Sequence, residues 1–173
     1  MADATGHTWN SVLTTWEASS SIDKLCLIIT DDWSIEYSKN KHKSPFLIQS
    51  RKPCEINLEL ASFVLKNFRD PTEIFKEGIR VGREKYFALH CNPRTIHCKY
   101  ESLSFVSSYN SSRKGASGII FVRCRGACIV VQYSAPITAS QCLCYVESLA
   151  DIANEGIAGV HTGVAVTGEG DNS

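Results

Sequence analysis

"ACIVVQYSAPITASQCLCYVESLADIANEG", residues 127–156, changes its periodicity halfway along. Residues 127–133 are almost continuously apolar, whereas a strand with one face in water would alternate polar and apolar positions. Such a strand belongs to a sheet covered on both faces. Beyond Pro136 the spacing becomes helical: Cys142, Tyr145, Val146, Leu149, Ile152 and Ala153 form one stripe. Thr138 and Gln141 have the spacing of a capping box, and Gly156 is the expected C′ residue. A buried strand therefore hands over to a closing helix.

Outward from this junction, "GIIFVRC" (118–124) is equally apolar and is separated from residue 127 by the turn Arg125-Gly126. "IRV", "KYFALHC", "TIHCKY" and "LSFVSSY" read as further strands, with turn signals at Asn92-Pro93 and from Arg113 to Gly118. "INLELASFVLKNF" (56–68) carries a helical stripe of Leu58, Leu60, Ala61, Val64, Leu65 and Phe68. "DPTEIFKEG" (70–78) predicts a short helix with Asp70 as N-cap, Pro71 first, Glu73 as capping-box partner and Gly78 as stop. Near the start, Thr8 is the expected N-cap of a helix with Trp9, Val12, Leu13 and Trp16 on one face. "KLCLIIT" and "WSIEYS" predict two strands joined at Asp31 and Asp32. The polar, basic stretch 39–52, broken by Pro45 and by Phe46 to Ile48, is expected to be an extended loop.

The expected fold is α+β: a central antiparallel meander sheet with the N- and C-terminal helices on one face and the middle helices on the other. One domain should occupy 1–158, followed by a flexible C-terminal tail, 159–173, of small residues without a helical stripe.

Bulk properties narrow the function. The 173 residues carry 18 basic and 18 acidic side chains, so the net charge is zero. A nucleic-acid binder ordinarily needs a basic excess, and none is expected here. Apolar runs fall well short of the ~20 residues of a membrane span, which leaves peripheral membrane contact at most. The first twenty residues lack a basic region leading into an apolar one, which argues against secretion and for a cytoplasmic protein. In that setting the eight cysteines are expected as reduced, mostly buried thiols.

Sites of small-molecule chemistry are poorly supported. In "SRKGASGIIFVRC" (112–124) the basic pair precedes the glycines and a strand follows, whereas a phosphate loop needs glycines first and a helix after. That leaves a solvated hairpin turn or a charged lip for a larger partner. "LHCNPRTIHC" (89–98) should place His90 opposite His97 on one face, with Cys91 on the other and Cys98 opposite Leu89. Two histidines without nearby thiolates make a poor zinc site. No nucleophile elbow or acidic pair suggests catalysis, and Cys142 and Cys144 lie on different faces of their helix. Neither metal nor cofactor is expected, and the chain does not read as an enzyme.

Several segments, in order, resemble the profilin family of small actin-monomer-binding proteins. "TWNSVL" resembles its opening helix, "GIRVGREKYFAL" its Gly-x-x-x-Gly-Gly-x-Lys-Tyr strand pair, and "RKGASGIIF" its Lys-Lys-Gly-x-Gly-Gly segment. "YSAPITASQCLCYVESLADIANEG" resembles its strand, Pro-x-Thr-x-x-Gln-Cys and closing helix. Arg83 replaces the family's second glycine, and the stretches 39–52 and 99–111 and the tail lengthen the chain.

The resemblance implies a cytoskeletal monomer that binds the barbed-end face of monomeric actin through Lys85, His90, Arg113, Lys114 and Gln141, with Ile74 or Phe75 as apolar anchor. It also implies capture of proline-rich segments through Trp9, Trp16, Trp33 and Ile152. That activity should be weakened, because Val12, Ile152 and Ile157 stand where the family has tyrosines. Lys39, Lys41, Lys43, Arg51 and Lys52 are candidates for phosphoinositide contact, each basic residue near an anionic surface contributing about 1 kcal/mol. A profilin-fold adaptor acting through lipid or protein partners, without actin, is the alternative.

Overall fold

The computed structural model describes residues 16, 18–29, 46–49, 54–101 and 117–162. In chain order these form β1 (Lys24–Ile29), β2 (Phe46–Gln49), α1 (Leu58–Asn67), α2 (Thr72–Glu77) and β3 (Ile79–Val81). There follow β4 (Glu84–Cys91), β5 (Thr95–Tyr100), β6 (Gly118–Cys124), β7 (Ala127–Tyr133) and α3 (Ala139–Thr162). The seven described strands make one antiparallel sheet in the order β2-β1-β7-β6-β5-β4-β3. Strands β3 to β7 form the expected meander, and β1 joins beside β7.

Both faces of the central strands are buried, as the unbroken apolar runs require. On one face Leu25, Leu27, Ile29, Ile120, Val122, Ile129 and Val131 pack against Trp16 and against Cys142, Val146, Leu149 and Ala150 of α3. On the other, Cys26, Ile28, Ile119, Phe121, Cys128 and Val130 pack beneath Ala61, Val64 and Leu65 of α1 and Ile74 of α2. Burying one large aliphatic side chain stabilises by roughly 1.5–3 kcal/mol, so these paired layers dominate the energetics. All eight cysteines are free thiols. Burial pushes Cys26, Cys124 and Cys142 up to about 12, so they stay protonated and behave as small apolar side chains.

Local signals mostly act as read. Thr138 and Gln141 make the capping box: the Thr138 N–H donates to Gln141 Oε1 at 3.0 Å, and the Gln141 N–H to Thr138 Oγ1 at 3.2 Å. Gly78 ends α2 with φ at 70°, a left-handed angle that glycine tolerates. Asn57, not singled out in the sequence, caps α1 by accepting from the Leu60 N–H at 2.8 Å.

Other expectations are corrected. Residues 46–49, expected in a loop, form β2, because their extended backbone completes the hydrogen bonding along the outer side of β1. Asp70 accepts from the Thr72 N–H at 3.1 Å, but α2 begins at Thr72, with Pro71 in the cap position. Glu73 does not close a capping box; it pairs with Lys66 of α1 at 2.8 Å. Helix α3 passes Gly156 and continues to Thr162, since one interior glycine costs only about 1 kcal/mol. Leu58 and Ile152 leave their stripes for solvent. Trp16 is helical, while the rest of the expected first helix, "WSIEYS" and "LSFVSSY" lie outside the described residues.

Asn67 fixes the two middle helices to one another. Although only 1% exposed, its amide is engaged at both ends: Nδ2 donates to the Phe63 carbonyl at 2.8 Å, and Oδ1 accepts from the Ile74 N–H at 3.0 Å. Asn67→Ala strands that N–H in the interior and should cost about 1–3 kcal/mol, read from the midpoint of urea unfolding.

Candidate functional site

Helix α3 covers less of the sheet than the sheet offers. It packs on β6 and β7 and reaches β5 only near its start, where Thr95 Oγ1 donates to Glu147 Oε1 at 3.2 Å. Arg94, in the β4–β5 turn, clamps onto α3 by donating to Asp151 Oδ1 at 2.7 Å and to the Glu147 carbonyl at 3.2 Å. Beyond this contact, the same side of β3, β4 and β5 is open among the described residues.

Strand alternation determines what that side presents. Tyr86 turns inward toward α1 and α2, so Lys85 and Phe87 turn outward; Arg80 pairs with Lys85, and Lys99 with Phe87. A β-bulge lies between Ala88 and His90, so Leu89 and His90 together oppose His97. The extra residue carries Leu89 outward at 56% exposure, beside Phe87 at 41%. Two apolar side chains thus stand among Arg80, Lys85, His90, His97 and Lys99. Lys85 Nζ lies 5.1 Å from the centre of the Phe87 ring and 3.7 Å from Glu101. Its cation therefore covers the aromatic face while remaining partly neutralised.

His97 is the most constrained member. Its Nε2 is 2.8 Å from the Tyr133 hydroxyl, which arrives from two strands away. Gly118 of the intervening strand makes this possible, because a Cβ there would lie 2.6 Å from Tyr133 Cζ and 2.7 Å from the Cys98 carbonyl oxygen. Burial, and then the neighbouring His90, hold His97 below the ordinary histidine value. His90 is exposed, with Nε2 3.0 Å from Asn92 Nδ2.

The sequence-derived residues separate accordingly. Lys85 and His90 lie on the open face. Gln141 is exposed in the first turn of α3 on the same side of the sheet. Ile74 is 0% exposed and cannot serve as an anchor, because it fills the layer between α2 and the sheet. Phe75 is 51% exposed but rides on α2, in the opposite layer. Trp16 is 5% exposed, in the core beneath α3, so its ring offers no platform for a ligand, whereas Ile152 is 56% exposed. Arg113, Lys114, Trp9, Trp33, Lys39, Lys41, Lys43, Arg51 and Lys52 lie outside the described residues.

His90 faces His97 as expected, but Cys98 pairs with Ala88 rather than Leu89 because of the bulge. Sequence reading overlooked Phe87, Leu89 and Lys99 as surface groups, although the period of two through "EKYF" contained the signal for Phe87.

An antiparallel sheet sealed by a long closing helix, with two short helices beneath and a bare strip beside that helix, defines a small α+β protein built to present a surface. The chain belongs to the profilin family, whose family model, Profilin, matches residues 7–155. Schizosaccharomyces pombe profilin superposes with a TM-score of 0.61 at 19% identity, covering 88% of this chain and 98% of its own. For Acanthamoeba castellanii profilin IA the values are 0.65 and 16%, over 86% and 98%. Mouse profilin IIa, solved with a double repeat from the FH1 domain of mDia1, gives 0.63 and 10%, over 86% and 97%. No curated protein matches the sequence.

The lowered value of His97 has a stability consequence. Well above the ordinary value of 6.5 the imidazole is neutral both folded and unfolded. Below that pH the unfolded chain takes up the proton first, so stability falls with acidification and levels off past the lowered folded value. His97→Gln should abolish this component, seen as a shallower loss of unfolding free energy than wild type between pH 7 and 5.

Proposed function

We propose that this profilin-family chain binds monomeric actin at its barbed-end face and regulates filament assembly in the cytoplasm. The observation that carries this reading is the open strip of β3 to β5, where Phe87 and Leu89 are exposed within a ring of cations. Large apolar side chains exposed together mark an interaction surface, and interfaces depend on a few such anchors. Arg80, Lys85, His90 and Lys99 would steer an acidic partner, with Gln141 at the rim; Arg113 and Lys114, which the family resemblance adds to the site, lie outside the described residues. Phe87 and Leu89 replace Ile74 as the apolar anchors. The expected affinity is micromolar, on the order of −8 kcal/mol.

Proline-rich binding is proposed as weakened. Trp16 is committed to the core, its carbonyl accepting from the Tyr145 hydroxyl at 3.4 Å, and Ile152 brings neither an aromatic face nor a donor. The mouse relative with its FH1 repeats supports looking for such an activity, which Trp9 and Trp33 would have to sustain. Phosphoinositide contact through the five basic residues of 39–52 belongs to the alternative reading, an adaptor without actin.

Pyrene-actin polymerisation separates the two readings. The actin reading expects a concentration-dependent delay in spontaneous nucleation, and an unchanged time course at low salt with excess protein would overturn it. Phe87→Ala combined with Leu89→Ala should weaken actin binding at least tenfold, about 1.4 kcal/mol, in an anisotropy titration. Both side chains are exposed, so the unfolding midpoint should change little.

A further inference from the structure

We propose that the open face is proton-responsive, with His90 and His97 acting as a facing pair that takes up charge as an acidic partner docks, so that acidification tightens the complex. The inference rests on reading this face as the actin-docking surface and adds a regulation to it. Three observations carry it: the pair is in direct cross-strand register, the face around it is open, and the bulge sets His90 beside the exposed Phe87 and Leu89.

The surroundings make the pair's charge conditional. From β3, Arg80 faces the same side, and from β4 and β5 come Lys85 and Lys99. Lys85 is partly neutralised by Glu101 at 3.7 Å. Tyr133 of β7 holds His97 through its hydroxyl, and Asn92 in the turn holds His90. The nearest acids of α3 are already engaged, Glu147 with Thr95 and Asp151 with Arg94. Glu84 bonds the Tyr86 hydroxyl on the inward side of β4, and Cys98 is buried on that side of β5. Among the described residues, the other charged side chains on this face are Arg80, Lys85 and Lys99, with Glu101 against Lys85, while burial and then the neighbouring His90 lower the value at His97.

An acidic partner reverses that balance. Its carboxylates replace like-charge neighbours with opposite ones, which favours the imidazolium form on the bound face. Linkage then requires the converse: conditions that protonate the pair strengthen the partner's hold. Histidine is the side chain whose charge ordinarily changes between about pH 5 and 8, so the response falls in a physiological window.

Dissociation constants of the full chain for monomeric actin, measured at pH 7.5 and pH 6.0 at one ionic strength, test the idea. The readout is the ratio of the two constants in wild type against His90→Gln and the double variant His90→Gln, His97→Gln, which removes actin's own titration from the comparison. Wild type should gain about fivefold more than the double variant on acidification, with His90→Gln between them. Lys99→Gln should weaken binding at both pH values, as the loss of a steering charge requires. Calorimetry at pH 6.5 in buffers of different ionisation enthalpy should show protons taken up on binding by wild type, but not by the double variant. His90→Gln leaves the His97–Tyr133 bond in place, so it alone decides the matter if the double variant fails to fold. Binding with the same pH ratio in wild type and His90→Gln overturns this inference while sparing the actin reading. Absence of binding at either pH overturns both.

Discussion

The structure depends on burial of β6 and β7 from both sides at once. Ile119, Ile120, Phe121, Val122, Ile129, Val130 and Val131 have no exposed surface, and they divide strictly between two layers. A two-sided strand cannot be satisfied by one helix layer. It requires α3 on one face and α1 with α2 on the other, and it places β5 and β1 as flanking strands. Removing either layer would expose a sheet with no polar face to present to water.

The open strip follows from a mismatch of widths. Seven described strands make a sheet wider than one helix can cover, and α3 lies over the strands that need it most. The sheet beyond it must then be finished by side chains able to stand in water, and here those are cations and imidazoles with two apolar groups among them. The Arg94 clamp and the Thr95–Glu147 bond hold α3 at one end of β5. The same helix therefore seals the core and bounds the open strip.

Two local devices shape that strip. Gly118 lets Tyr133 cross β6 and pin His97, and the bulge at Leu89 brings an additional apolar side chain to the surface. Neither contributes to the two-layer core. Both alter only what the open strip offers, and so such a surface can change while the fold persists.

The order of the described elements from α1 to α3, the fold class and the two-faced burial were legible in the chain itself, because periodicity and capping are local physics. Thr138 with Gln141, Gly78 and the apolar runs at 118–124 and 127–133 each state their conformation within a few residues. Strand β2 was not legible, since an edge strand forms only where another strand offers its open side. Nor was the fate of Ile74, Phe75, Trp16 and Ile152. A residue's place on a stripe gives its direction but not whether a neighbour covers it, and coverage is a property of packing among elements distant in sequence. The bulge, the Tyr133–His97 contact and the exposed Phe87–Leu89 pair belong to the same class. Local spacing chose the helices and strands; the width of α3 against the width of the sheet decided which of their residues stay exposed on the open strip.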